Sequence, residues 1–242
     1  MTESVGPPSS LGPQSDPIVV RADAAPGRRV AEFVLAHGAD PVRELARLGW
    51  SRPHLDDARR DDDGSLVLHF TVTPASAVAP TQAPVPTDPG LVLAPGEEAS
   101  PYQRTAAYGV VTSARGVLLT ELSELTSAPG RWTLPGGGLD PGEQPVAGLH
   151  REVWEESGQS VESVRLLEAH TSHWIGRAPS GRLEDFHAVR IVYAAWCPQP
   201  SDPVVHDVGG STADVRWVPR DELERYHLSR SFAPHMRRWL AS

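Results

Sequence analysis

The sequence predicts an α/β layered domain over residues 101–242, preceded by a small α+β unit over residues 16–75. Three observations carry that reading. Strand-like alternation and helix-like spacing interleave along the C-terminal stretch, as layered α/β chains require. A glycine run, Gly136-Gly137-Gly138, launches an amphipathic helix in its middle. Prolines crowd residues 76–100, where they block helix and sheet ladder alike and mark a linker.

Residues 1–15 are rich in Pro, Ser and Gly, have little to bury, and read as a disordered tail. Pro17–Val20 form a short strand. The stretch Arg28–Gly38 sets Val30, Phe33, Val34 and His37 at helical spacing with Gly38 as its stop, which predicts a helix. A second helix follows, with Asp40 as N-cap, Pro41 in the first turn and Gly49 just past the end. From Ser65 to Thr73 the chain alternates, placing Leu66, Leu68, Phe70 and Val72 on one strand face. A unit this small is weakly stable by itself. Its role is open: an interaction module, a stabilising cap, or the contact of a homodimer.

Beyond the linker, Thr105–Thr112 and Gly116–Glu121 are strands joined around Ser113-Ala114-Arg115-Gly116, a hairpin signal. Arg131–Leu134 is a short strand that runs into the glycines. Gln144–Ser157 suits a helix, with Pro145 tolerated in its first turn and Gly158 as its stop. Val164–Thr171, Phe186–Trp196 and Val215–Val218 are further strands. Arg220–Tyr226 and Ala233–Leu240 are short helices, and Phe232, just ahead of the last, stands with Met236 and Trp239 at packing intervals.

Composition excludes several functions. With 39% hydrophobic and 22% charged residues the chain is a soluble globular protein, and no apolar run is long enough for a membrane span. The first residues lack the basic start and apolar core of a secretory signal, so a cytoplasmic setting is expected. Cys197 is the only cysteine, which rules out an internal disulfide and a cysteine-built zinc site. A net charge of −9 argues against nucleic-acid polymers and anionic membranes as partners. All 22 basic residues are arginine, so neither a P-loop lysine nor a Schiff-base lysine exists. A small anionic ligand held through cations stays open.

The central helix poses the chemical question. At ~100° per residue, Val146, Leu149 and Val153 fall on one stripe that is expected to face the core. Glu152, Glu155 and Glu156 share a neighbouring face, and Glu143 stands just ahead of the helix. Like charges at this spacing cost roughly 0.2–0.5 kcal/mol per pair in water and more when partly buried. Arg151 relieves only part of this repulsion. Most acidic runs are solvated faces. Here a glycine run that lets backbone approach a ligand stands beside the acids, and a hard divalent cation with oxygen ligands would turn repulsion into binding.

Gly137, Glu143, Arg151, Glu152, Val153, Glu155, Glu156 and Gly158 stand at the spacing of a known motif. The stretch resembles the box of the Nudix (MutT-like) hydrolase family, and the likeness extends over about residues 104–240. Its fixed polar and glycine positions would match by composition at roughly one in fifteen each, which makes an accident remote. Gln159 departs from the pattern, which has an aliphatic residue there. The resemblance implies an α/β/α sandwich with a mixed sheet, the box forming loop, helix and loop. It implies a divalent metal, Mg2+ with Mn2+ as substitute, held by Glu155 and Glu156, with Glu152 as ligand or base and the Gly137 carbonyl as a further oxygen. Arg151 and Glu143 would orient the cluster. The reaction implied is hydrolysis of a nucleoside diphosphate linked to another group, the metal neutralising the diphosphate and activating water while a glutamate takes the proton.

Outside the box, Arg104, Trp132, Glu184 and Asp185 are the candidate substrate contacts. Trp132 would stack on a base or else belong to the core. The resemblance implies that one of Glu184 and Asp185 completes the metal site or serves as the catalytic base, against the alternative of a solvated pair beside Arg182. The histidines lack a metal-spacing motif and read as surface or core residues. Subfamily marks exclude rather than select. A single cysteine removes the zinc ribbon of NADH pyrophosphatases, and the coenzyme A signature is missing. His173, where a proline marks ADP-ribose enzymes, and Trp174, near a tyrosine that marks diadenosine polyphosphate enzymes, do not match either. A nucleotide-sanitising or general nucleoside-diphosphate hydrolase remains, with a catalytically weak nucleotide-binding regulator as the alternative. The proline-rich boundary is expected to be crossed by few contacts, so that residues from Ser100 onward fold alone.

Overall fold

Hydrophobic alternation near the N-terminus builds a four-stranded sheet. The structure, a computed structural model, describes residues 16–25, 27–75, 84–178, 180–207 and 209–241, so the expected tail and part of the linker lie outside the described residues. Strands β1 (Ile18–Ala25), β2 (Arg28–Val34), β3 (Trp50–Arg60) and β4 (Leu66–Pro74) stand in the order β2-β1-β4-β3. β1 and β4 run parallel, and the outer pairs are antiparallel. Helix α1 (Pro41–Arg47) starts where expected: the Asp40 carboxylate accepts from the Arg43 N–H at 2.8 Å, and Pro41 occupies the first turn.

One expectation fails in this unit, and one strand goes unread. The stretch Arg28–Val34 is a strand, not a helix, and pairs with β1 from Val19↔Val34 to Ala25↔Arg28. Val30, Phe33 and Val34 are β-branched or aromatic and suit a pleated surface, while a helical stripe would have buried Val34, which is 66% exposed. Strand β3 escapes sequence reading because Pro53 and its charged residues break the alternation. It lies at the sheet edge with two register shifts, where a proline is tolerated.

The larger sheet takes β5 (Ser100–Ser113), β6 (Gly116–Leu122), β9 (Glu162–Arg177), β10 (Leu183–Trp196) and β11 (Thr212–Val218) in the order β11-β6-β5-β10-β9. Two short strands, β7 (Trp132–Thr133) and β8 (Gly136–Gly138), pair with β6 and β5. β5 and β10 are parallel and the other pairs antiparallel, so the sheet is mixed. Alternate residues of its central strands serve opposite cores. Val111, Leu118 and Ile191 pack with Leu149 and Val153 of α2 (Pro145–Ser157), whereas Val110, Leu119 and Val192 pack with Met236 and Trp239 of α3 (Met236–Ala241). A 3₁₀ turn over Arg220–Arg225 precedes α3. The layers are those of an α/β/α sandwich.

The four-stranded sheet lies on the α2 side and joins that core: Ile18, Leu45, Leu66 and Phe70 belong to the same buried cluster as Leu149, Val189 and Tyr193. Polar contacts seal the seam. Arg60 donates through Nε to the Glu143 carbonyl at 2.8 Å, and the Gln144 side chain exchanges two bonds with the Arg60 backbone. Thr171 donates its hydroxyl to Asp40. More crosses this boundary than the proline-rich sequence suggests. We propose the division into units near residues 76–100 with this qualification: a chain starting at Ser100 is expected to unfold at a clearly lower temperature than the full chain. Equal melting temperatures for the two would show that the seam stabilises neither.

His170 on β9 sets a second test. Burial, helped by the neighbouring His235 and Arg190 charges, pushes its imidazole down to about 4 from an ordinary 6.5. Between those values the unfolded chain binds the proton that the folded one refuses, so this contribution is complete above pH 6.5 and lost as pH falls toward 4. His170→Gln is expected to flatten that part of the stability curve in denaturant titrations across this range. An unchanged slope would place the acid sensitivity elsewhere.

Candidate active site

Two paired strands and one helix bring the carboxylates together. β8 is pinned antiparallel to β5 through Ala106↔Gly138, Ala107↔Gly137 and Tyr108↔Gly136. Glycine is required by the backbone at Gly136, and at Gly137 and Gly138 it leaves space that neighbouring side-chain ends fill. Gly136 has φ +138°, and a Cβ there would meet the Ala107 carbonyl at 2.2 Å. A Cβ at Gly137 would lie 2.6 Å from the Glu152 carboxylate, and one at Gly138 would lie 2.8 Å from the Arg104 guanidinium. The loop then returns as α2, which ends on Gly158 at φ +67°.

Helix α2 is held by Leu149 and Val153, both fully buried, each contributing about 1.5–3 kcal/mol. Val146 departs from the expected stripe: it is 39% exposed, while Pro145, Gly148 and Leu149 are the buried residues of the first turns. Gln159, the departure from the motif, is buried and satisfied: its amide donates to the Ser157 carbonyl and the Ser201 hydroxyl, and its oxygen accepts from the Ser201 N–H.

Arg151 sits at the centre of the acids. It grips Glu143 with two bonds, Nε to Oε1 at 2.9 Å and Nη2 to Oε2 at 2.8 Å, and reaches Glu152 at 3.0 Å, Glu155 at 3.1 Å and the Gly138 carbonyl at 3.0 Å. The guanidinium holds the Glu143 carboxyl below its usual range. Burial raises Glu152 despite Arg151 beside it. Glu156 does not share the open face with Glu155. It is buried beneath it, accepting from the Gly136 N–H at 2.9 Å and the Thr212 hydroxyl at 2.6 Å, and burial pushes it up to about 7. Three carboxylates thus face one central guanidinium, with Glu156 buried behind them and the exposed Arg104 alongside.

The other expected residues scatter. Arg104 lies against Gly138 at the site and makes no ion pair among the described residues. Trp132 is 8% exposed, with Tyr226 edge-on at 5.0 Å and Arg216 over its ring, which makes it a core residue and not a stacking platform. Glu184 and Asp185 do not reach the box. Ala106 faces Gly138 on one side and Arg190 on the other, which puts Asp185 five residues, about 17 Å, further along the strand. Glu184 instead accepts from Arg182 at 3.0 Å, and Asp185 contacts His173. Sequence reading missed Thr212 and Arg60, whose signals are a hydroxyl and a guanidinium far from the box in the chain.

A family model, described as the NUDIX domain, matches residues 102–241. The chain is 27% identical over 135 residues to the nucleoside triphosphatase NudI of Klebsiella pneumoniae (strain 342), covering 52% of this chain and 89% of that protein. Among solved structures it is similar to RenU, a Nudix hydrolase from M. smegmatis, at 22% identity and a TM-score of 0.42, covering 58% of this chain and 86% of that one. It is also similar to the NUDIX domain of Shewanella oneidensis NrtR, crystallised with ADP ribose, at 20% identity and a TM-score of 0.46, covering 57% and 89%. With the family match spanning more than half of its length, the chain belongs to the NUDIX domain family of hydrolases.

Proposed function

We propose that the protein hydrolyses the diphosphate bond of a small nucleotide derivative with the help of Mg2+ held by the carboxylates of α2. One observation carries the reading: Glu143, Glu152 and Glu155 converge on one guanidinium, Glu152 lies where a side chain at Gly137 would stand, Glu156 is bonded to the Gly136 N–H, and a single cation is too little positive charge for these acids. The donor set is oxygen only, which suits magnesium and its substitute manganese. Glu155, Glu156 and Glu152 would hold the ion, with the Gly137 carbonyl as a backbone oxygen. When bound, such an ion neutralises phosphate charge and makes water a better nucleophile.

The chain's own residues supply the rest. Glu152, partly shielded from water and raised by burial, is suited to accept the proton of the attacking water. Arg104 presents an exposed guanidinium beside Gly138, placed to bind phosphate oxygens. Arg151 and Glu143 hold the glutamates in position, and Thr212 with the Gly136 N–H fixes Glu156. The 27% identity to NudI, named for nucleoside triphosphate hydrolysis, supports nucleoside triphosphates as the first compounds to try. A purely regulatory role draws no support from a complete set of acids.

Glu155→Gln is expected to leave the fold intact and to reduce hydrolysis by at least about a hundredfold, the scale of losing one charge stabiliser. Chelation should abolish turnover of the wild type, and Mg2+ or Mn2+ should restore it. A screen of nucleoside triphosphates, sugar nucleotides and dinucleotides, with chromatographic separation of the phosphorylated products as readout, makes the comparison. Near-wild-type turnover of Glu155→Gln at saturating Mg2+ would refute the assignment.

A further inference from the structure

A second convergence of ligand atoms lies at the seam between the two sheets, away from the carboxylates of α2. His173 and His187 are direct partners in the antiparallel β9–β10 pair, so their side chains leave the sheet on one face. Asp185 precedes His187 by two residues and shares that face. His37 arrives from the other sheet, in the loop between β2 and α1. His173 Nε2 contacts Asp185 Oδ1, His37 Nε2 lies 3.5 Å from the same oxygen, and the three donor atoms all fall within 4.8 Å of one another.

The rings are arranged as ligands are. Their centroids are 5.4 Å (His37–His173), 5.5 Å (His37–His187) and 6.0 Å (His173–His187) apart, each pair edge-on. An ion bound tetrahedrally to imidazole nitrogens at ~2.1 Å spaces the ring centroids by roughly 5 Å. His187 adds an independent sign. It is fully buried, its Nδ1 lies 2.8 Å from the Gln103 side-chain oxygen, and its Nε2 has no well-formed hydrogen bond, only the Ala39 backbone bearing on the ring. Bonding to an acceptor puts the proton on Nδ1 and leaves a lone pair on Nε2, the state of an imidazole ready to ligate, with Gln103 as its outer partner. Gly38, at φ +73°, makes room: a Cβ there would lie 2.4 Å from the His173 ring.

We propose that His37, His173, His187 and Asp185 form a binding site for a divalent transition-metal ion, zinc in type, that ties the N-terminal sheet to β9 and β10. Imidazole donors select such an ion over magnesium. On binding, Asp185 exchanges its bond to His173 for one to the metal. The other histidine group, Glu168, His170 and His235, is already served by a cation, since Arg238 contacts Glu168 and lies 3.1 Å from His235 Nδ1.

The proposal is independent of the active-site reading and is tested without turnover. Full-length protein is stripped of metal, saturated with Mg2+, and titrated with Zn2+ by calorimetry and with Co2+ by visible absorption. One stoichiometric equivalent is expected, with the intense absorption of tetrahedral Co2+. His37→Ala and Asp185→Asn, each checked for fold by circular dichroism, are expected to weaken uptake by more than about a hundredfold, beyond what loss of an outer partner costs. Glu155→Gln is expected to keep it. Absence of stoichiometric uptake by the wild type, or uptake that neither His37→Ala nor Asp185→Asn weakens, would overturn the proposal.

Discussion

Arg151 spreads its donors over Glu143, Glu152, Glu155 and the Gly138 carbonyl, and the geometry of the active site follows from that one guanidinium. Without it, acids on a single helical face would repel into solvent, and of the bonds between the glycine strand and α2 only that of the Gly136 N–H to Glu156 would stay. Its grip on Glu143 is bidentate, a geometry that fixes direction as well as distance. Glu143 in turn accepts from the Asp140 N–H, so the turn before the helix is tied to the same cation. The charge is nevertheless too small for its task. That shortfall is what a divalent ion would answer.

Packing keeps this charged cluster in place. Leu149 and Val153 sink α2 into a core shared by both sheets, so Glu152 and Glu155 have a fixed base from which to point outward. Glu156 goes the other way, under the helix, where a hydroxyl and a backbone N–H receive it. The N-terminal sheet contributes at a distance. Arg60, nearly buried, braces the Glu143 carbonyl while the Gln144 side chain pairs with its backbone, at the point where the helix starts. The stability of the small unit and the geometry of the site are thereby linked.

What was legible in the sequence is what is local. Gly137, Glu143, Arg151, Glu152, Glu155 and Glu156 lie within twenty residues, so helix geometry and spacing suffice to gather them. The cap at Asp40, the strand Leu66–Pro74 and the stop at Gly158 were readable for the same reason. Errors came where two periods compete or where neighbours come from far along the chain. Val30, Phe33 and Val34 fit helical spacing, yet their branched and aromatic side chains favour the pleat that β1 offers. Asp185 looked like a catalytic acid because nothing local shows that parallel pairing with β5 carries it along the strand, beside His173. The histidines had no motif since residues 37, 173 and 187 meet only through the sheets.

The claim that a divalent ion completes what Arg151 begins is tested most directly by thermal unfolding of Arg151→Met beside the wild type, each in chelator and in excess Mg2+. In chelator the variant should melt well below the wild type, because Glu143, Glu152 and Glu155 are left with no central cation. Mg2+ should raise both melting temperatures and raise that of the variant more, narrowing the gap. Melting temperatures that Mg2+ leaves unmoved in both proteins would contradict the account.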